Sequence, residues 1–219
     1  MMRLLDYLKT LPINISIIDK IEADDTIAYL SQKLKDDVII YSADQDFLQL
    51  INDKVTVYSP IKKKFYRPND VYTQYGLLPT NFLTMKCLMG DKSDNLPGVK
   101  GLGPKKLFKL FPELKGKTDY TLQEAYKKAS DNVDEHQLYG NIHLFKKQLE
   151  INHQLMSLKD IELLDKDEDE LDNLIVSNPH NFNKLKFMKM YEEDLLGRAI
   201  PNVEFWLSEV FSYLHRYKI

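Results

Sequence analysis

The segment GDKSDNLPGVKGLGPKK, residues 90–106, prevents any regular element from running unbroken through the middle of the chain. Four of the chain's eight glycines and two of its nine prolines fall inside it. Glycine weakens helix and strand interiors, and proline removes a backbone donor. The fold must therefore be built from separate elements on either side of a turn-rich junction. The same segment holds Asp91, Asp94 and four lysines, so charge of both signs gathers where the backbone bends. Glycine suits a tight turn or the close approach of a ligand, so this loop is expected to grip something charged.

Before the junction, short apolar runs alternate with amphipathic ones. LLDYLKTLP reads as a helix stopped by Pro12, and ISIID as a strand. EADDTIAYLSQKLK reads as a helix, with Ile27, Leu30 and Leu34 at helical spacing. DVIIY is an unbroken apolar run, which predicts a strand covered on both faces. SADQDFLQLI is a turn entering a short helix, KVTVYSP a further strand, and IKKKFYR a hairpin arm. Strand and helix in alternation predict a parallel sheet with right-handed crossovers.

Beyond residue 70 the pattern is helical: NDVYTQYG, PTNFLTMKCLMG and GPKKLFKLFPEL all fit helices. In NVEFWLSEVFSYLHRY, the residues Val203, Trp206, Leu207, Val210, Phe211 and Leu214 form one core stripe. The acid-rich LLDKDEDELDNL reads as a solvated face or loop. No apolar run approaches the roughly 18 residues of a membrane helix, so no membrane association is expected. Cys87 is the single cysteine. It excludes an internal disulfide, is expected to fill an apolar helix face, and fits a reducing, cytoplasmic setting.

Acidic residues recur at one kind of position. Glu22, Asp24 and Asp25 follow ISIID, Asp44 and Asp46 follow VIIY, and Asp91 and Asp94 lie in the junction. Ligands of a parallel sheet bind outside the carboxyl ends of its strands. Taken singly, such residues serve well as helix caps. Seven carboxylates at one rim would repel, and a cation removes that penalty. Oxygen donors of this kind suit magnesium or manganese, and no His or Cys stands nearby to favour zinc. Two such ions about 4 Å apart are an established apparatus for phosphodiester cleavage.

Net charge is −3, an unpromising figure for a nucleic-acid binder. Setting the seven candidates aside leaves 26 acids against 30 Lys and Arg. Positive charge also clusters, at Lys62, Lys63, Lys64 and Arg67 in the arm and at Lys92, Lys100, Lys105, Lys106 and Lys109 around the junction. GVKGLGPKK would open a helix whose free N–H groups, unobstructed at Gly101 and Gly103, can meet a phosphate. Such a contact grips backbone and reads no sequence.

In this order, EADD, SADQDFLQL and GDKSDNLPGVKGLGPKK resemble the 5′ nuclease family: flap endonucleases, phage 5′–3′ exonucleases and ribonucleases H, and the 5′ nuclease domain of bacterial polymerase I. The matched span runs from about Ile15 to Leu110. The resemblance implies an α/β fold: a partial PIN-like parallel sheet with helices over residues 1–78, then a helical domain over 79–219 with a helix–three-turn–helix DNA-binding element. It implies that Glu22, Asp24 and Asp25 serve a first divalent ion, and Asp44, Asp46, Asp91 and Asp94 a second. Backbone carbonyls around Val99 and Leu102 would hold a potassium ion that bridges to a DNA phosphate. Lys100, Gly101, Gly103, Lys105, Lys106 and Lys109 would line the DNA contact. The implied activity is metal-dependent hydrolysis of branched, flapped or nicked DNA, or of RNA–DNA primers, during replication.

The family's first two strands, each with an aspartate, and its basic helical arch have no counterpart here. The sequence therefore leads to the expectation that a separate chain supplies that segment, or that it was lost from the reading frame. Two further readings share the acids: a branched-DNA-binding remnant without turnover, and a ribonuclease of the wider PIN-like group, which has no need for GVKGLGPKK.

Overall fold

The computed structural model describes residues 2–212. The chain divides into two compact units, Met1–Lys20 with Leu163–Ile219, and Ile21–Glu162. The first opens with helix α1 (Met2–Leu8), and the second with α2 (Ala23–Lys33).

After α2 the second unit builds a three-stranded sheet. Strand β1 (Val38–Tyr41) pairs in parallel with β2 (Val55–Ser59), and β2 pairs antiparallel with β3 (Lys64–Tyr66), the expected hairpin arm. A 3-10 turn over Asp46–Leu50 joins the first two strands. Helix α3 (Pro68–Tyr75) starts at a proline and stops at Gly76, whose φ of 73° is the left-handed conformation glycine tolerates best. Ile40, Val57, Phe47, Ala28, Val71 and Phe82 close one core against this sheet.

Two expectations fail here. ISIID forms no strand: residues 13–18 belong to no helix or strand, and among the described residues nothing pairs with the outer edge of β1. An apolar run without a neighbouring strand has no ladder to satisfy its backbone groups. DVIIY is covered on one face, since Ile40 is buried while Ile39 is 61% and Tyr41 71% exposed. Alternate side chains of a strand point to opposite faces, and only one of the two faces meets the core.

The junction is organised by helix α4 (Phe82–Met89), entered through a 3-10 turn at Pro79–Asn81. Strands β4 (Gly90–Asp91) and β5 (Leu96–Pro97) pair antiparallel directly after it, and α5 (Pro104–Leu110) follows. Helices α6 (Leu122–Asp131), α7 (Gln137–Leu144) and α8 (Lys146–Met156) surround a second core that includes Leu88, Leu107, Phe111, Leu114 and Ile142. Asn152 of α8 is fully buried, and its amide donates to the carbonyls of Cys87 (3.0 Å) and Pro97 (2.9 Å). It thereby fastens the end of α4 to β5.

The other unit packs α1 with α9 (Asp165–Val176), α10 (Lys184–Glu193) and α11 (Val203–Ser212). The acid-rich run is a helix, α9, with Asp167 and Leu171 turned inward. Of the expected stripe, Leu207 and Phe211 are buried, Val203 and Trp206 pack beside them, and Val210 is 46% exposed. Leu214 lies outside the described residues. The Arg3 guanidinium meets Asp194 at 2.8 Å, and the N–H of Asn183 donates to the Thr10 carbonyl at 2.8 Å. Among the described residues no helix is long and apolar enough to cross a membrane.

Two junction glycines are dictated by close packing, and Gly90 also by its φ of 74°. A Cβ on Gly98 would stand 1.9 Å from the Met89 carbonyl oxygen, and one on Gly90 would stand 2.2 Å from the Gly98 nitrogen. Gly98→Ala is therefore expected to lower unfolding free energy by about 3 kcal/mol. Gly103→Ala adds a methyl with nothing within 4 Å and should cost less than about 1 kcal/mol. Urea unfolding of both variants checks this, and equal midpoints would refute it.

Candidate metal and nucleic-acid site

Every sequence-predicted site residue falls within the unit Ile21–Glu162. Glu22 is the exposed N-cap residue of α2, and Asp24 and Asp25 sit half-buried in its first turn. Asp44 and Asp46 occupy the turn that leaves β1. There the Asp44 Oδ1 accepts the Asp46 N–H at 2.8 Å, and the Ser42 hydroxyl accepts the Asp44 N–H at 3.1 Å. These bonds fix the turn so that both carboxyl groups line an open cleft of 790 Å³. Asp91 reaches the same cleft from β4, and its Oδ1 accepts the Ser93 N–H at 2.8 Å and the Ser93 hydroxyl.

Asp46, Asp91 and Asp94 offer carboxylate oxygens that all lie within 4.8 Å of one another. The α2 acids fall outside this trio, but Asp24 is electrostatically coupled to it. Burial pushes the Asp24 carboxyl up from its ordinary value, and the charges of Asp44, Glu22, Asp46 and Asp25 push it further. Asp25 is raised by burial and by Glu22. Three stretches of chain thus deliver acid to one region, although the strand expected to carry the first group is missing.

Lys86 belongs to no motif of the sequence, yet it joins these acids. It projects from α4 between Asp46 and Asp91, bonding the Asp46 carboxylate and lying 2.6 Å from an Asp91 oxygen. Its side chain is only 11% exposed. Burial works against its charge, yet the bonds to Asp46 and Asp91 win, and its pKa is raised. Lys86 and then Ser93 hold the Asp91 carboxyl down to about 2. At Asp46 burial outweighs Lys86, and the pKa is raised. The available signal was a lone cation in an otherwise apolar helical run, MKCLMG. Cys87, beside it, is fully buried and pushed up to about 12 by burial, so it packs rather than reacts.

The donor set fits a hard divalent cation. It is all carboxylate oxygen, converges within coordinating reach, and already attracts a cation in the Lys86 ammonium.

The basic residues divide by employment. Lys92, Lys100, Lys105, Lys106 and Lys109 are exposed around the junction. The Lys106 ammonium donates to the Gly101 carbonyl at 3.2 Å, and the Asn141 amide donates to the Lys100 carbonyl at 3.3 Å. Gly101 has φ 82°, a conformation that asks for glycine, whereas Gly103 leaves open space before α5. Val99 and Leu102 turn their side chains into the core, and the Val99 carbonyl accepts the Leu102 N–H at 3.0 Å. In the arm, Lys64 lies 4.9 Å from the Tyr66 ring and Arg67 5.4 Å from the Phe65 ring, so these cations help hold the hairpin.

The family described as 5′-3′ exonuclease, N-terminal resolvase-like domain, matches residues 1–76, and 5′-3′ exonuclease, C-terminal SAM fold, matches residues 77–179. The DNA polymerase I of Bacillus subtilis is 37% identical over 125 residues, 54% of this chain and 13% of that protein. A 5′-3′ exonuclease of Buchnera aphidicola is 41% identical over 101 residues, 43% of this chain and 35% of that protein. The fold resembles a bacteriophage T5 protein co-crystallised with metal ions, with a TM-score of 0.56 and 21% identity, covering 83% of this chain and 61% of that one. It also resembles a T5 flap endonuclease in a complex with DNA and metal ions, with a TM-score of 0.55 and 22% identity over 82% of this chain and 60% of that one. The aligned part of the chain thus spans about a third or less of these curated relatives and about three fifths of these solved ones.

The pKa shifts predict how stability follows pH without metal. Asp91 is depressed in the folded state, so its contribution is present above the unfolded value of about 3.9 and is lost as pH falls toward 2. Asp24 is raised, so the sign reverses: its contribution is present below about pH 3.9 and is lost as pH rises through the raised value. In chelator, Asp24→Asn should therefore melt higher than the parent protein at pH 7, and the gap should close near pH 4. Thermal melts across that range check this, and a variant less stable at pH 7 would contradict it.

Proposed function

The chain belongs to the 5′-3′ exonuclease family, and from that premise we propose that it is a divalent-metal-dependent 5′ nuclease. It hydrolyses phosphodiester bonds at 5′ ends, flaps or nicks of DNA, including RNA–DNA primers, in replication. In this reading, residues 1–78 are the carboxyl-side part of the nuclease core, and 79–219 a helical domain that contains the DNA-binding element. The observation that carries the proposal is the convergence of carboxylate oxygens of Asp46, Asp91 and Asp94, from the β1 turn and the junction, with Asp46 and Asp91 lining the cleft.

Asp44, Asp46, Asp91 and Asp94 would hold one ion, and Glu22, Asp24 and Asp25 a second, directly or through water. Magnesium or manganese in these places supplies Lewis acidity and charge neutralisation at the scissile phosphate. The protein's own part is positioning. The Ser42, Asp44 and Ser93 bonds keep the carboxylates oriented toward the cleft. The open backbone at Gly103 and the exposed Lys100, Lys105, Lys106 and Lys109 would grip a duplex phosphate without reading bases. Carbonyls around Val99 and Leu102 would offer potassium its place beside that phosphate.

A second reading is favoured by the exposed Ile39 and Tyr41 on an edge strand. Such a surface accepts a further strand and apolar cover, so a separate chain carrying them would complete the sheet.

Cleavage of a labelled 5′-flap duplex tests both readings. Mg²⁺ or Mn²⁺ should support turnover, and Asp91→Ala should lower the rate by about a hundredfold, near 2.7 kcal/mol of barrier. Retained activity in that variant would remove the metal assignment. Stimulation by an added family fragment that carries such a strand would support the second reading, and no effect would count against it. If the chain only binds, salt-sensitive binding without product is expected. Neutralising Lys105 and Lys106 together should reduce the salt slope by about 2, and an unchanged slope would place the DNA elsewhere.

A further inference from the structure

Lys86 stands where a metal ion would be wanted. Helix α4 is otherwise turned inward through Phe82, Leu83, Thr84, Cys87 and Leu88, and its ammonium is held among carboxylates at 11% side-chain exposure. A lysine so enclosed is costly unless paired. Its partners, Asp46 and Asp91, are two of the three residues whose oxygens converge for a cation. The 2.6 Å contact with Asp91 is a short charge-assisted hydrogen bond to a carboxylate that a divalent ion would also need. An ammonium and a divalent ion on the same pair of carboxyl groups would lie within a few ångströms and repel.

We propose that Lys86 is the resident counter-cation of the metal-free site, and that divalent binding is an exchange in which its ammonium leaves Asp46 and Asp91. The inference rests on the metal reading above. The exchange needs room for a flexible four-carbon stem, and the cleft provides it: Lys86 lines that space with Gln45, Gln74 and Tyr75. Charge balance gives the device two effects. Without metal, Lys86 offsets part of the repulsion among Asp46, Asp91 and Asp94. With metal, the ion must displace a bonded cation before it can be held, so a weakly charged or poorly coordinated ion is disfavoured.

Lys86→Met keeps the stem and removes the charge. Manganese alone serves as the probe, with bound ion counted by the loss of free Mn²⁺ resonance. The variant should bind Mn²⁺ about tenfold more tightly than the parent protein. In chelator it should melt about 3 °C lower, with the gap closing at saturating Mn²⁺. Equal or weaker binding by a variant that still binds Mn²⁺ would overturn the exchange and make Lys86 a fixed member of the metal-bound site. No Mn²⁺ binding by either folded protein would instead bring down the metal reading, and the inference with it. A second measurement needs no variant: acylation of Lys86 in the parent protein, followed by mass spectrometry, should become several times faster when Mg²⁺ is added. Unchanged or slower labelling in protein that demonstrably binds Mg²⁺ would also overturn the exchange.

Discussion

Carboxylates gathered in a small space repel, and the arrangement of the Ile21–Glu162 unit around its cleft follows from that repulsion. Asp24, Asp25 and Asp46 are all harder to ionise than free aspartate, burial being the first cause in each case. A fold that crowds acids in this way needs strong constraints elsewhere to keep the groups from swinging apart. Those constraints are apolar and amide-based. Phe47, Leu48 and Leu50 are buried immediately after Asp46, and they anchor the turn from the core side. Buried Gln49 donates to the Met156 carbonyl at 2.9 Å and accepts the Leu158 N–H at 3.0 Å. The short helix that presents Asp46 is thus tied to the end of α8.

The junction solves the matching problem for Asp91. An aspartate on a loop tip would sample many orientations, whereas Asp91 sits in a two-residue strand pinned between α4 and β5. That strand exists because Gly90 and Gly98 let backbone lie against backbone, and because Asn152 satisfies the carbonyls of Cys87 and Pro97. The four junction glycines therefore divide their labour. Gly90 and Gly98 serve close packing, Gly101 serves a left-handed turn, and Gly103 leaves the approach to α5 clear. Lys86 lies in the last turn of α4, just before the strand that carries Asp91, and it bonds both Asp91 and Asp46.

The sheet has a contrasting character. Tyr41 and Tyr58 stack at 5.3 Å, and Tyr58 and Phe65 meet at 4.7 Å, so the face away from the core is lined with rings. Aromatic pairs across strands stabilise a small sheet. They do so here on a face that leaves Ile39 and Tyr41 largely exposed at the edge. Three strands with one covered face are near the minimum for a stable sheet. The core beneath, which includes Ile40, Val57 and Phe82, covers the opposite face.

The sequence by itself determined most of the element types and the turns on which the acids fall. VIIY and VTVYS had to be strands, PTNFLTMKCLMG and GPKKLFKLFPEL had to be helical, and the glycine pattern had to turn, because each follows from local spacing and backbone chemistry. The motif order also identified the family, because Asp-x-x-Asp-Asn followed by Gly-x-Gly-Pro-Lys is specific in itself. Only the tertiary structure decided which apolar runs found partners. ISIID had strand-like composition, but a strand is a property of pairs, and no pair formed among the described residues. Likewise DVIIY could not reveal from its own residues that one face would lack a layer. The part played by Lys86 was equally illegible, since a lysine in an apolar helix acquires meaning only when two aspartates distant in sequence are folded against it. Local periodicity reports what a segment can be, and long-range contact decides what it meets.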